Sequence, residues 1–102
     1  MDDRPAIDLS PEHRRVVVEI LSRHLPAGTV WAFGSRVRGP AKRYSDLDLA
    51  VIARTPVSPR TLAALEEAFS QSDLPWRVDV IDWATSGEGF RRVVERDMAP
   101  LF

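Results

Sequence analysis

Within residues 34–52, GSRVRGPAKRYSDLDLAVI, four cations (Arg36, Arg38, Lys42 and Arg43) precede two aspartates, Asp46 and Asp48, two residues apart at the mouth of an apolar run. Side chains two apart in a strand project to the same face, so these carboxylates stand together while Leu47 and Leu49 point to the opposite, core face. Two such charges about 4 Å apart repel by roughly 4 kcal/mol at an effective dielectric of about 20. Protonating one carboxylate, or capturing a cation, relieves that repulsion. Oxygen ligands with no cysteine and no nearby histidine favour a hard ion such as Mg²⁺. An ion held in this way keeps several waters and completes its shell with substrate phosphates, which points to a nucleotide substrate.

Taken alone, the doublet reads more simply as a pair that hydrogen-bonds the preceding turn. Three surrounding features shift the reading to metal chemistry. A third carboxylate comes from VDVID, residues 78–82, which offers Asp79 and Asp82 on opposite faces of one strand. Asp79 is the better candidate, because it lies mid-strand between Val78 and Val80, where an unused charge is expensive. Asp82, at the strand end beside Trp83, suits a solvated or capping role. Next, Gly34-Ser35 ends a strand and begins a turn whose backbone N–H groups can face an anion, with the Ser35 hydroxyl as a further donor and glycine permitting close approach. Finally, at least two of the four cations form a solvated face, but beside a metal site one or two of them can neutralise a triphosphate.

The elements that must position these residues alternate regularly. Ser10-Pro11 supplies an N-cap and a first-turn proline, and Val17, Ile20, Leu21 and His24 follow at helical spacing until Pro26 and Gly28 stop the helix. TVWAF at 29–33 is a short buried strand running into Gly34-Ser35, the segment 36–45 is a polar turn or short helix, and DLDLAVI at 46–52 is the second strand. Ser58-Pro59 repeats the helix opening, with Leu62, Leu65 and Phe69 on one face and an end near Asp73-Leu74-Pro75. WRVDVIDW at 76–83 is the third strand. Thr85 with Glu88 has capping-box spacing, and Phe90, Val93 and Val94 line a last helix that fades before Pro100. The expected fold is α/β (α+β), a small, largely buried mixed sheet with flanking helices.

Bulk properties narrow the function classes. The 102 residues suit one compact domain, residues 1–102, with an ordinary 44% hydrophobic and 28% charged composition. A net charge of −1 provides no global basic field for nucleic acid, so attraction for phosphate must be local. The absence of cysteine removes disulfides and thiolate chemistry and fits a reducing compartment, the cytoplasm. The longest uninterrupted apolar run, LAVIA at 49–53, is far short of a membrane span, and the opening MDDRPAID has no signal-peptide layout. Trp31, Trp76 and Trp83 are expected to fill core, His13 and His24 to lie at the surface or boundary, and the tail MAPLF to cap the core or dock a partner.

Gly34-Ser35-Arg36, Arg38-Gly39, Ser45-Asp46-Leu47-Asp48-Leu49 and Val78-Asp79-Val80 together resemble the signature of the DNA polymerase beta-like nucleotidyltransferase superfamily. More narrowly, the chain looks like the minimal nucleotidyltransferases found as antitoxins paired with HEPN toxins, a likeness that covers nearly its whole length. The resemblance implies an αβαβαβα core in which Asp46, Asp48 and Asp79 ligate two Mg²⁺ ions. It implies AMP transfer from ATP, with Gly34, Ser35, Arg36 and Ser45 at the nucleotide and Asp79 near the acceptor hydroxyl. Arg38 then faces either a phosphate or the partner. The implied acceptor is a tyrosine of the partner HEPN ribonuclease, which the transfer silences. Two alternatives accompany it: an antitoxin that neutralises by contact alone, and transfer to a small molecule or an RNA end.

Overall fold

The computed structural model describes residues 7–38 and 44–102. Both Ser-Pro pairs open helices as their chemistry requires. Ser10 is extended, at φ −64 and ψ 154, and its Oγ accepts the His13 N–H at 3.2 Å to start α1, Pro11–Ser22. Ser58 does the same for Thr61 at 3.1 Å and starts α3, Pro59–Ser70. The first helix stops at Ser22, short of His24, as the Arg23 N–H closes back on Ile20 and Leu21. Val17, Ile20 and Leu21 of α1 and Leu65 and Phe69 of α3 are the buried faces of the two helices.

Those faces pack on a four-stranded mixed sheet of order β3-β2-β1-β4. Strand β1 spans Val30–Phe33, β2 Leu47–Val51, β3 Val78–Asp82 and β4 Ala99–Pro100. β1 runs antiparallel to β2 and to β4, whereas β2 and β3 are parallel and are joined through α3. Alternation sorts the strands as expected: Val30, Ala32, Leu47, Leu49 and Val51 join the helices in one core. On the other face, Phe90 of α4, Glu88–Arg96, meets Phe33 edge-on at 6.1 Å. Trp76 is buried, as expected of core, and Trp31 and Trp83 are half-buried.

Three expectations need correction. The tail contributes a fourth strand: Trp31 opposes Pro100 and Ala32 opposes Ala99, and Val30 then exchanges backbone hydrogen bonds with Phe102 at 2.9 and 3.0 Å. Proline is compatible with such an edge because a missing N–H facing outward costs no ladder bond. No capping box forms at Thr85 and Glu88; the N-cap of α4 is Gly87, and Thr85 Oγ1 donates to the Asp82 carbonyl instead. Of the two roles open to Asp82, the solvated one falls away and the capping one holds. Asp82 is buried, and its carboxylate accepts the Val57 N–H at 2.8 Å and the Ala84 N–H at 3.2 Å, capping the 3-10 turn Trp83–Thr85 and pinning the approach to α3.

Asp82→Ala leaves two N–H groups without this acceptor inside the fold, which costs about 1 to 3 kcal/mol. Urea unfolding of the variant and parent should give midpoints that differ accordingly; equal midpoints would show that the carboxylate contributes nothing to stability.

Candidate active site

The parallel ladder aligns Asp48 with Asp79, and the antiparallel ladder on its other side aligns Asp48 with Phe33, the residue before Gly34. Side chains in register on neighbouring strands share a face, so the carboxylates of β2 and β3 stand side by side on the face opposite the α1–α3 core. Asp46 lies just before β2 and is exposed, whereas Asp48 and Asp79 are half-buried. Burial, then the charge of Asp79, then that of Asp46, pushes the Asp48 carboxyl up from 3.8 to about 6. Asp79 also meets Arg77 Nη2 at 3.1 Å, a solvent-open pair that is weak by itself.

Gly34 stands against this pair. Its φ of +82 suits glycine, and a Cβ there would lie only 2.5 Å from Asp48 Oδ2. The glycine therefore does two jobs: it makes the turn from β1 into α2, Ser35–Arg38, and it leaves space for the Asp48 carboxylate. Ser35 opens that short helix, next to the glycine. Beyond Asp79, an open groove of about 840 Å³ runs along β3 and α3, lined by Glu66, Ser70, Trp76, Arg77 and Asp79 among others.

Arg36, expected at a phosphate, is engaged by the chain itself. Its side chain is buried, Nε donates to the Ser45 carbonyl at 2.8 Å, Nη1 donates to the Asp8 carbonyl at 3.0 Å, and the guanidinium lies 4.4 Å over the Trp76 ring. These contacts hold the group within the fold, because a buried cation needs acceptors and a desolvated ring face supplies further attraction. Ser45, expected at the nucleotide, takes part here through its carbonyl. Arg38 closes α2, and Gly39, Lys42 and Arg43 lie outside the described residues. His13, at the boundary as expected, packs edge-on against Trp76 at 5.5 Å. The contacts of Arg36 with Trp76 and with the Asp8 carbonyl have no local signal in the chain. The Arg77–Asp79 pair did carry a signal, opposite charges two apart in a strand.

Among the described residues, no three His, Cys, Asp or Glu side chains gather closely enough to enclose an ion. The arrangement found is a facing carboxylate pair with Asp46 at its flank. It does fit a hard cation: the donors are oxygens, their mutual repulsion already raises Asp48, and Gly34 keeps the space beside Asp48 Oδ2 clear.

The nucleotidyltransferase domain family matches residues 14–99 of the chain. A Haemophilus influenzae protein named "Probable protein adenylyltransferase MntA" is 52% identical over 90 residues, 88% of this chain and 79% of that protein. A crystal structure of a toxin–antitoxin with AMP-PNP superposes with a TM-score of 0.72 at 23% identity, over 87% of this chain and 72% of that one. The MNT antitoxin bound to a tri-AMPylated HEPN toxin of Shewanella oneidensis does so with a TM-score of 0.64 at 22% identity, covering 87% and 68% of the chains. At those identities the two solved structures establish likeness of fold.

The raised Asp48 pKa makes stability pH-dependent in a definite direction. A folded-state value of about 6 against 3.8 means that the folded chain favours the protonated form. Its contribution is complete below pH 3.8 and is lost as pH rises through about 6. Urea unfolding in EDTA should therefore find Asp48→Asn more stable than the parent above pH 6, with the two converging near pH 4. Parallel stability profiles across that range would exclude the coupling.

Proposed function

Because the chain belongs to the nucleotidyltransferase domain family, we propose that it transfers AMP from ATP to a hydroxyl of a partner HEPN toxin and so acts as an antitoxin. The observation that carries this reading is the register of Asp48 with Asp79 beside Gly34, which sets two carboxylates of the triad at the end of the turn where a nucleotide would lie. The name of the Haemophilus influenzae relative and the AMPylated toxin in the Shewanella complex support a protein side chain as acceptor.

In this reading Asp46, Asp48 and Asp79 hold two Mg²⁺ ions. Mg²⁺ bound there supplies charge stabilisation for the α-phosphate and for the departing pyrophosphate. The chain's own groups do the rest. Gly34 lets the backbone approach the triphosphate, and Ser35 offers its N–H and hydroxyl as donors. Asp79, on the side of the open groove, takes the acceptor proton directly or through water. The acceptor oxygen bonds to the α-phosphorus as the bond to the β-phosphate oxygen breaks, and pyrophosphate leaves. A tyrosine acceptor suits this arrangement because a carboxylate need only receive the proton as the phosphorus–oxygen bond forms.

We place the reaction in the cytoplasm, in keeping with a chain without cysteine. Among the described residues no helix is long and apolar enough to cross a membrane.

Incubation with α-labelled ATP, Mg²⁺ and the partner toxin should put label on the toxin. Asp46→Asn combined with Asp48→Asn keeps the shape and should cut labelling by more than about 100-fold, beyond the loss typical of an outer-shell change. Label on a small molecule or RNA with an unlabelled toxin would overturn the acceptor. Neutralisation undiminished in the double variant would instead make contact alone the mechanism.

A further inference from the structure

We propose that Arg36 is a positioning residue whose guanidinium sets the separation between the loop carrying Asp46 and the strand carrying Asp79, an inference that rests on the carboxylate reading above. Three other segments of the chain meet at this one side chain. Arg36 Nε holds the carbonyl of Ser45 at 2.8 Å, and that carbonyl belongs to the peptide that leads into Asp46. The guanidinium lies over Trp76 at 4.4 Å, and Trp76 is three residues upstream of Asp79 on the path into β3. Behind the ring, His13 of α1 packs edge-on at 5.5 Å and limits its movement.

The Asp8 peptide closes the other side reciprocally, since its N–H donates to the Arg36 carbonyl at 2.6 Å and its carbonyl accepts from Nη1 at 3.0 Å. With only 6% of Arg36 exposed, the group has little freedom to swing out toward a ligand. Asp46 is exposed and lies just outside the strand, and the peptide that follows it is already held to the approach of β3, with the Leu47 N–H donating to the Arg77 carbonyl at 2.9 Å. The Ser45 carbonyl clamp fixes the peptide on the other side of Asp46. It relates Asp46 to β3 through the Trp76 ring, and a planar fork is suited to bridging two carbonyls while stacking on a ring, which an ammonium cannot do.

Arg36→Lys keeps the charge and removes the fork. Residues that orient metal ligands typically change ion affinity or activity by about 10- to 100-fold when lost. Mn²⁺ affinity, measured by electron paramagnetic resonance without nucleotide, should therefore fall by about 10-fold or more. In AMP transfer, kcat should fall while KM for ATP stays within about 2-fold, and ATP affinity in EDTA should not change. Trp76→Phe, a milder change to the same clamp, should weaken Mn²⁺ binding in the same direction and covers the case in which Arg36→Lys does not fold. Amide exchange at Asp46 and Leu47 should quicken in both variants without a matching rise across β1 and the remainder of β2.

Unchanged Mn²⁺ affinity in either folded variant would overturn the inference. So would a loss of ATP affinity in EDTA at full Mn²⁺ affinity, which is the signature of a phosphate contact. A parent chain that binds Mn²⁺ but transfers no AMP would sink the proposed function and leave the clamp standing.

Discussion

Everything at the site depends on two parallel strands meeting in one register. Pairing Asp48 with Asp79 puts like charges side by side on a half-buried face. The cost is visible in Asp48, whose carboxyl is raised to about 6. A slip of one residue would relieve the repulsion, but it would also turn Leu47, Leu49 and Val51 out of the core. Apolar burial therefore enforces an electrostatic arrangement that the carboxylates would not adopt unaided.

The surroundings divide the remaining work between space and restraint. Gly34 gives room, since any side chain there would collide with Asp48. Arg36 gives restraint, and it does so from inside the fold, with carbonyls and an indole as its partners. A guanidinium near a phosphate site is readily assigned to the ligand. Its burial here ties it to the architecture of the loop.

Much of this was legible in the chain, and the divide follows the range of the interactions. Ser10-Pro11 and Ser58-Pro59 announce their helices because an N-cap bond spans three residues. The alternation in LDLAV and VDVID likewise assigns Leu47 and Leu49 to the core and Asp48 to the other face, since strand parity is local. The contacts of Arg36 within the chain were not legible, because its acceptors lie nine and twenty-eight positions away. The capping role of Asp82 was legible from its place at the strand end, but its burial was not, because one of its donors, Val57, is twenty-five positions upstream. The strand at Ala99-Pro100 went unseen for another reason: two residues show no period, and proline argues against pairing until the sheet edge is known.

The crossover through α3 bears on how the molecule comes together. Strands that run the same way cannot be joined by a tight hairpin, so β2 and β3 meet only after the intervening helix has folded back over the sheet. Loop closure on that scale is entropically slow and precedes any reward from contact. The closeness of Asp48 and Asp79 thus belongs to the closed crossover, and the same closure that brings them together assembles the apolar framework able to withstand it.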